Sequence, residues 1–304
     1  MFPGNDGASA VPPAVPLRGQ TRKRGRLVVV SNRVADVATE SSGGLAVAVG
    51  EALVASGGVW FGWSGETAKD ALQQAPQIQR TGDVFTVTVG LTPEEHKSYY
   101  LGYANRCLWP LFHYRLGVAD LSINAEAGYF SVNKRFAKEI APLLEPRDTI
   151  WVHDYHVIPL AGYLRQEGVT QPIGFFLHIP FPSPEIIAAL PNHQQLARSF
   201  FAYDLVGFQT VRDRENFARY AVEHLDCRRL NDGRIKGFGR TLTIDAFPIG
   251  IDVDAFAAEA ERNMRAPRCA GSPKMPTAFP SSSASTGWIT PRACRSASAA
   301  SRSC

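Results

Sequence analysis

Two short apolar runs near the middle of the chain, TIWVH ending at His153 and IGFFLH ending at His178, each pass directly into a polar or proline-rich loop. Between them, Val157 to Glu167 is patterned as one helix. Strands apolar on both sides are buried on both faces, which is the state of a parallel sheet covered by helices. A strand-helix-strand unit follows, and open sheets of this kind hold their ligands outside the carboxyl ends of the strands. Asp154 and His178 stand at two such ends, side by side at one crevice. The unit therefore predicts a binding site as well as a scaffold.

The rest of the chain repeats the alternation. Arg26 to Ser31, Val59 to Trp63, Val84 to Val89, Leu205 to Gln209 and Thr241 to Phe247 are patterned as strands. Leu45–Ala55, the aromatic-rich segment Pro93–Tyr114, Phe130–Leu144, Pro184–Leu190, His193–Ala202 and Val211–Leu225 are patterned as helices. The expected class is α/β, a doubly wound and mainly parallel sheet.

Charge is unevenly distributed. Residues 1–26 carry five Lys/Arg against one Asp, and residues 266–304 carry five Lys/Arg and no acid. With 32 Lys+Arg and 28 Asp+Glu overall, the body is left mildly acidic, which argues against a nucleic-acid-binding face. No apolar run approaches the roughly 20 residues of a membrane span, and the proline-rich start does not resemble a signal peptide. A cytoplasmic protein without a membrane partner is expected. Cys107 and Cys227 are the only cysteines of the body, too far apart for a disulfide framework or metal-ligand spacing.

Several residues can carry chemistry. Arg33 of Ser-Asn-Arg sits where the first strand gives way to its loop. A guanidinium there either grips a phosphate or joins a surface ion pair, and position alone does not choose. Gly43 and Gly44 open a helix and either expose backbone N–H groups to a diphosphate or form an ordinary flexible loop. The aromatics Trp60, Trp63, Tyr99, Tyr100, Trp109 and Tyr114 are core material by default, though one or two suit a carbohydrate pocket. The string His153-Asp154-Tyr155-His156 invites a metal. On a strand, however, Asp154 faces away from His153 and Tyr155, so a carboxylate holding substrate hydroxyls fits better. There is no G-x-S-x-G elbow for a triad hydrolase.

Taken in order, the strings VVVSNR, GGLAVAV, WFGWSGE, YYLGYANRCLWPLFHYR, WVHDYH, IGFFLHIPFPSPEI, DLVGFQT and FPIGID resemble the trehalose-6-phosphate synthases, retaining glycosyltransferases of family 20. The resemblance runs from about Arg26 to Asp252. It implies the GT-B fold of two facing Rossmann-like domains, of which this chain holds the first. It also implies transfer of glucose from UDP-glucose to glucose 6-phosphate without a metal or cofactor, with small molecules as partners and a homo-oligomer in the full-length enzyme. Carried over residue by residue, Arg33 and Tyr100 hold the acceptor phosphate, and Trp109 and Asp154 contact the acceptor sugar. Gly43 and Gly44 lie near the donor phosphates. His178 contacts the transferred glucose, so His178 and Asp154 stand at the reaction centre. Two alternatives stay open: a synthase for another sugar or polyol phosphate, and a non-catalytic sugar-phosphate-binding protein.

The expected organisation is a basic, Pro-rich tail over 1–25, the acceptor-binding Rossmann-like domain over 26–255, the start of an inter-domain segment over 256–265, and a low-complexity tail over 266–304. The family's second domain would supply an R-L-D-Y-S-K-G motif whose Arg and Lys neutralise the donor diphosphate. That motif is absent here. With synonymous codons freely chosen, a one-base shift converts the tail string STGWITPRACR into VDRLDYSKGLP. We therefore expect a frameshift near Arg265, and little transferase activity in the chain as written.

Overall fold

The computed structural model describes residues 25–34 and 44–250, with Val253, Ala257, Ala258 and 260–262 beyond them. Gly43 and the segments 1–24 and 266–304, on which several expectations rest, lie outside the described residues. By contacts the chain divides into one unit over Met1–Ile249 and another over Gly250–Cys304. Beyond Gly250, the few described positions of the second unit are helical.

The first unit is built on a ten-stranded sheet. Its strands are β1 (Leu27–Arg33), β2 (Gly58–Thr67), β3 (Gln77–Thr81), β4 (Val84–Leu91), β5 (Thr149–His153), β6 (Ile173–Leu177), β7 (Leu205–Phe208), β8 (Arg228–Arg229), β9 (Ile235–Gly237) and β10 (Arg240–Ala246). They lie in the order β3-β4-β2-β1-β5-β6-β7-β10-β9-β8. From β4 to β10 every neighbour is parallel, as the apolar runs predict. Antiparallel β3 and the β8–β9 pair close the two edges. These three strands escape sequence reading because they are short and polar, and all five residues of β3 are exposed.

Alternate residues of the strands feed two cores. Val28 and Val30 of β1 join the large core with Ile150 and Val152 of β5. Val29 points the other way, joining Trp60, Val84 and the helix α1 (Gly44–Ser56) through Val49 and Leu53. The large core receives α4 (Glu126–Ile140), α5 (Leu160–Gln166) and α6 (Val211–His224), so helices cover both faces. Arg26 ties the base of β1 to β5 through two hydrogen bonds to the buried Asp148 carboxylate, at 3.0 and 2.8 Å. The helix expected over Val157–Glu167 is instead a 3₁₀ turn, Tyr155–Val157, and then α5, with Pro159 at the N-cap of α5. Proline lacks the N–H that a helix interior needs, so the break falls there.

The aromatic segment takes an unexpected winding. A single α-turn, α2 (Pro93–Glu95), leads into a π-helix, His96–Leu108, and then α3 (Trp109–Phe112). Its start is fastened by a capping box between Thr92 and Glu95. Arg135 of α4 adds paired bonds to the Glu95 carboxylate at 2.9 Å and one to the Gly90 carbonyl at 2.9 Å.

Candidate functional site

The sheet changes winding direction beside β1. The chain moves from β1 to β2 on one side, and β5 is its neighbour on the other. This is the topological switch point, where the loops diverge and leave a crevice. Arg33 ends β1, Asp154 follows β5 and His178 follows β6. The sequence therefore places three candidate residues at one edge, and the structure puts all three there.

Asp154 and His178 are in contact. The His178 backbone N–H donates to Asp154 Oδ1 at 3.3 Å, and the Asp154 N–H closes the ladder on the Phe176 carbonyl at 2.8 Å. Burial raises the Asp154 carboxyl to about 6, and holds the His178 imidazole down at about 4. Both shifts are desolvation effects, the mark of groups held in a poorly hydrated cleft. The alternation argument for Asp154 needs correction, because β5 ends at His153 and Asp154 adopts φ 76°. That left-handed turn, not strand pleat, aims the carboxylate. Among the described residues no group of three or more His, Cys, Asp or Glu is arranged to hold a metal.

The loop after His178 is braced from below. Phe181 is buried against Phe112, Phe200, Phe208, Phe217 and Tyr220. Its backbone N–H donates to Asp213 Oδ1 at 3.0 Å and its carbonyl accepts from Asn216 Nδ2 at 2.9 Å. A proline-stiffened loop nailed at its third residue holds His178 in place.

The π-helix supplies a second wall. Bonding from i to i+5 gives roughly 4.4 residues per turn, against about 3.6 in an α-helix. Tyr100 and Trp109, nine residues apart, are therefore separated by about two full turns and share one face. In an α-helix they would point in opposite directions. The half-buried positions His96, Tyr100, Asn105 and Trp109 trace that stripe, while Tyr99, Tyr103, Ala104 and Leu108 trace a buried one. Tyr100 packs between Trp63 (5.2 Å between ring centroids), His96 (5.4 Å) and His156 (5.7 Å). Tyr99 donates from its hydroxyl to Asn32 Oδ1 at 2.9 Å, which anchors this part of the π-helix at the end of β1, and the Trp63 on which Tyr100 packs is the register partner of Arg33.

Arg33 is exposed, and its guanidinium lies over Gly65 of β2. A Cβ at Gly65 would come within 2.5–2.7 Å of three guanidinium atoms. Gly65 also has φ +92°, where only glycine is comfortable. The guanidinium thus rests in a seat that a side chain would fill. Of the glycine pair, Gly44 begins α1. Of the other aromatics, Trp60 and Tyr99 are core, Trp63 is core with one edge toward Tyr100, and Tyr114 is exposed.

Four contributors have site roles that the sequence does not assign. His153 hydrogen-bonds His178 at 2.9 Å. His156 is buried beneath Tyr100 with both ring nitrogens unpartnered among the described residues, and burial takes its imidazole to about 3. Asn105 accepts from the Tyr155 hydroxyl at 2.8 Å, on the stripe between Tyr100 and Trp109. Gly65 seats Arg33.

Comparison with known proteins agrees with this geometry. The model of glycosyltransferase family 20 matches residues 17–270. The trehalose-6-phosphate synthase of Klebsiella pneumoniae subsp. pneumoniae is 46% identical over 244 residues, 80% of this chain and 50% of that one. A Burkholderia xenovorans UDP-forming α,α-trehalose-phosphate synthase, solved in complex with glucose-6-phosphate, superposes with TM-score 0.73 at 42% identity, covering 80% of this chain and 54% of that one. An E. coli protein solved with UDP-2-fluoro glucose gives TM-score 0.72 at 41% identity, covering 78% and 51%. The chain spans about half the length of the relatives it matches. With the family model matched over residues 17–270 and a Rossmann-like sheet shared with the solved relatives, the chain belongs to glycosyltransferase family 20.

Proposed function

We propose that this chain forms the acceptor half of the active site of a retaining glucosyltransferase, which moves glucose from UDP-glucose to glucose 6-phosphate and yields trehalose 6-phosphate. The observation that carries the reading is the placement of four groups around the switch point: Arg33 at the end of β1, Tyr100 on Trp63, the register partner of Arg33, and the Asp154–His178 contact at the ends of the next two strands. Arg33 pairs with the acceptor phosphate and Tyr100 hydrogen-bonds it. Trp109 packs on the acceptor sugar, whose hydroxyls Asp154 orders. His178 meets the transferred glucose, and the backbone at Gly43 and Gly44 approaches the donor diphosphate.

Configuration is retained without a protein nucleophile. The acceptor hydroxyl attacks the anomeric carbon from the face that the nucleoside diphosphate leaves, and the departing phosphate oxygen takes the hydroxyl proton. No pair of carboxylates of the glycosidase kind is then required. Catalysis rests on positioning and on neutralising the leaving phosphate, and needs no metal. The neutralising cations of the family's R-L-D-Y-S-K-G motif have no counterpart in these 304 residues. We place them in a second Rossmann-like domain, and the reading frame near Arg265 is where the two sequences part. A soluble cytoplasmic enzyme suits these substrates, and no helix among the described residues is long and apolar enough to cross a membrane.

Calorimetry tests the reading. Glucose 6-phosphate should bind the chain, glucose should bind at least tenfold more weakly, and Arg33→Ala should remove the preference for the phosphate. Equal affinity for both sugars, unchanged by Arg33→Ala, would sink the proposal.

A further inference from the structure

We propose that His153 is a positioning residue that fixes the protonation pattern of His178, so that His178 offers the site an N–H donor from Nδ1 rather than a lone pair. His153 lies on β5 opposite Phe176 of β6, and His178 is two residues further along. Diagonal neighbours of this kind are within reach of long side chains. His153 Nδ1 and His178 Nε2 are 2.9 Å apart. The two rings are tilted by only 27° with centroids 5.2 Å apart, as two nearly coplanar imidazoles joined edge to edge must be.

One proton lies in that bond, and the surroundings of His153 decide which ring carries it. His153 is 1% exposed, and its Nε2 has no hydrogen-bond partner among the described residues. If His178 were the donor, His153 would accept at Nδ1 and bury an orphaned N–H at Nε2. If His153 is the donor, its Nε2 is a bare lone pair. Orphaned buried N–H groups are the rarer and costlier case. A protonated His153 would leave the same orphan and add a buried charge. The arrangement of least cost has the proton on His153 Nδ1, donated to His178 Nε2. A neutral His178 must then carry its own proton on Nδ1, its other ring nitrogen. The tautomer is thus set by the hydrogen bond on the far nitrogen, as is general for histidine.

The consequence rests on the proposed function. An N–H at His178 Nδ1 selects a ligand atom that accepts: a sugar oxygen or the oxygen that leaves with the phosphate. A bare Nδ1 would instead select a hydroxyl proton. Asp154, whose Oδ1 already accepts from the His178 backbone, then remains the acceptor for hydroxyl protons in the crevice. The pair divides the work, one group donating and the other accepting.

Long-range ¹H–¹⁵N correlation spectra of the ¹⁵N-histidine-labelled chain test this without substrate, with His178→Gln identifying the resonances. Wild type should show His178 protonated at Nδ1 and bare at Nε2. His153→Phe, which keeps a flat ring but removes the donor, should move His178 to the Nε2-protonated form. His153→Asn, whose amide N–H can occupy the same place, should restore the Nδ1 form. An Nε2-protonated His178 in wild type would overturn the assignment even if neither variant folds, and so would a His178 tautomer that His153→Phe leaves unchanged. Because no sugar is present, these outcomes are separate from the calorimetric test of the proposed function.

Discussion

The hydrogen bond from the His178 main chain to Asp154 Oδ1, at 3.3 Å, ties together the loops that follow two adjacent strands. Asp154 therefore enters the crevice with one oxygen committed to structure and its other oxygen free of that bond.

The Asp154 carboxyl carries a cost that depends on pH. Its folded-state value is raised to about 6 from 3.8, so burial favours the protonated form. Below pH 4 both states are protonated and nothing is lost. The cost builds between pH 4 and 6 and is complete above 6. Asp154→Asn should match wild type in urea unfolding at pH 4 and exceed it by about 1–3 kcal/mol at pH 8. An equal difference at both pH values would contradict this account.

The histidines act in the opposite sense. His178 and His156 are depressed to about 4 and about 3, and His153 is also lowered by burial. The unfolded chain binds their protons from about pH 6.5 downward while the folded chain does not, so stability falls as pH drops from about 6.5 toward 4. His156→Phe should flatten that slope by about one proton. With two unpartnered nitrogens replaced by carbon, it should also be neutral or stabilising at pH 7. Unfolding midpoints across pH 4–8 provide the check.

Gly65→Ala should place a methyl group where the Arg33 guanidinium lies, at a backbone angle that side chains avoid. We expect a loss of about 1–3 kcal/mol in stability from the strained φ, and weaker glucose 6-phosphate binding than in wild type. Unaltered affinity would show that Arg33 does not need this seat.

Arg135→Ala should remove the paired bonds to Glu95 and the bond to Gly90, leaving a half-buried carboxylate at the start of the π-helix. A cost of about 2–4 kcal/mol is expected. If the π-helix is displaced as well, Tyr99 amide protons should exchange faster with solvent.

Much of this was legible in the sequence, for physical reasons. The apolar runs at β1, β5 and β6 declare buried parallel strands, and polar residues at their ends declare the crevice. What escaped reading depends on backbone geometry that periodicity does not encode. The sequence pattern puts Asp154 on a strand, because one residue with positive φ looks like its neighbours in one dimension. The pattern around Pro159 reads as one unbroken helix because the flanking residues are apolar. The His153–His178 bond joins residues 25 apart, and only the strand register brings them face to face. Arg33 could be read as a phosphate ligand or a surface cation, and Gly65 adds the seat that sequence spacing cannot show.

The π-helix makes the length of its segment a property under constraint, separately from its composition. Removing a residue between Tyr100 and Trp109 would turn Trp109 by nearly a quarter of a circle relative to Tyr100, while every residue of the wall remained present. A substitution on the solvent side, at Lys97, Leu101 or Arg106, leaves the spacing untouched. Among natural variants of such a chain, point changes in this segment should be common and gaps should not.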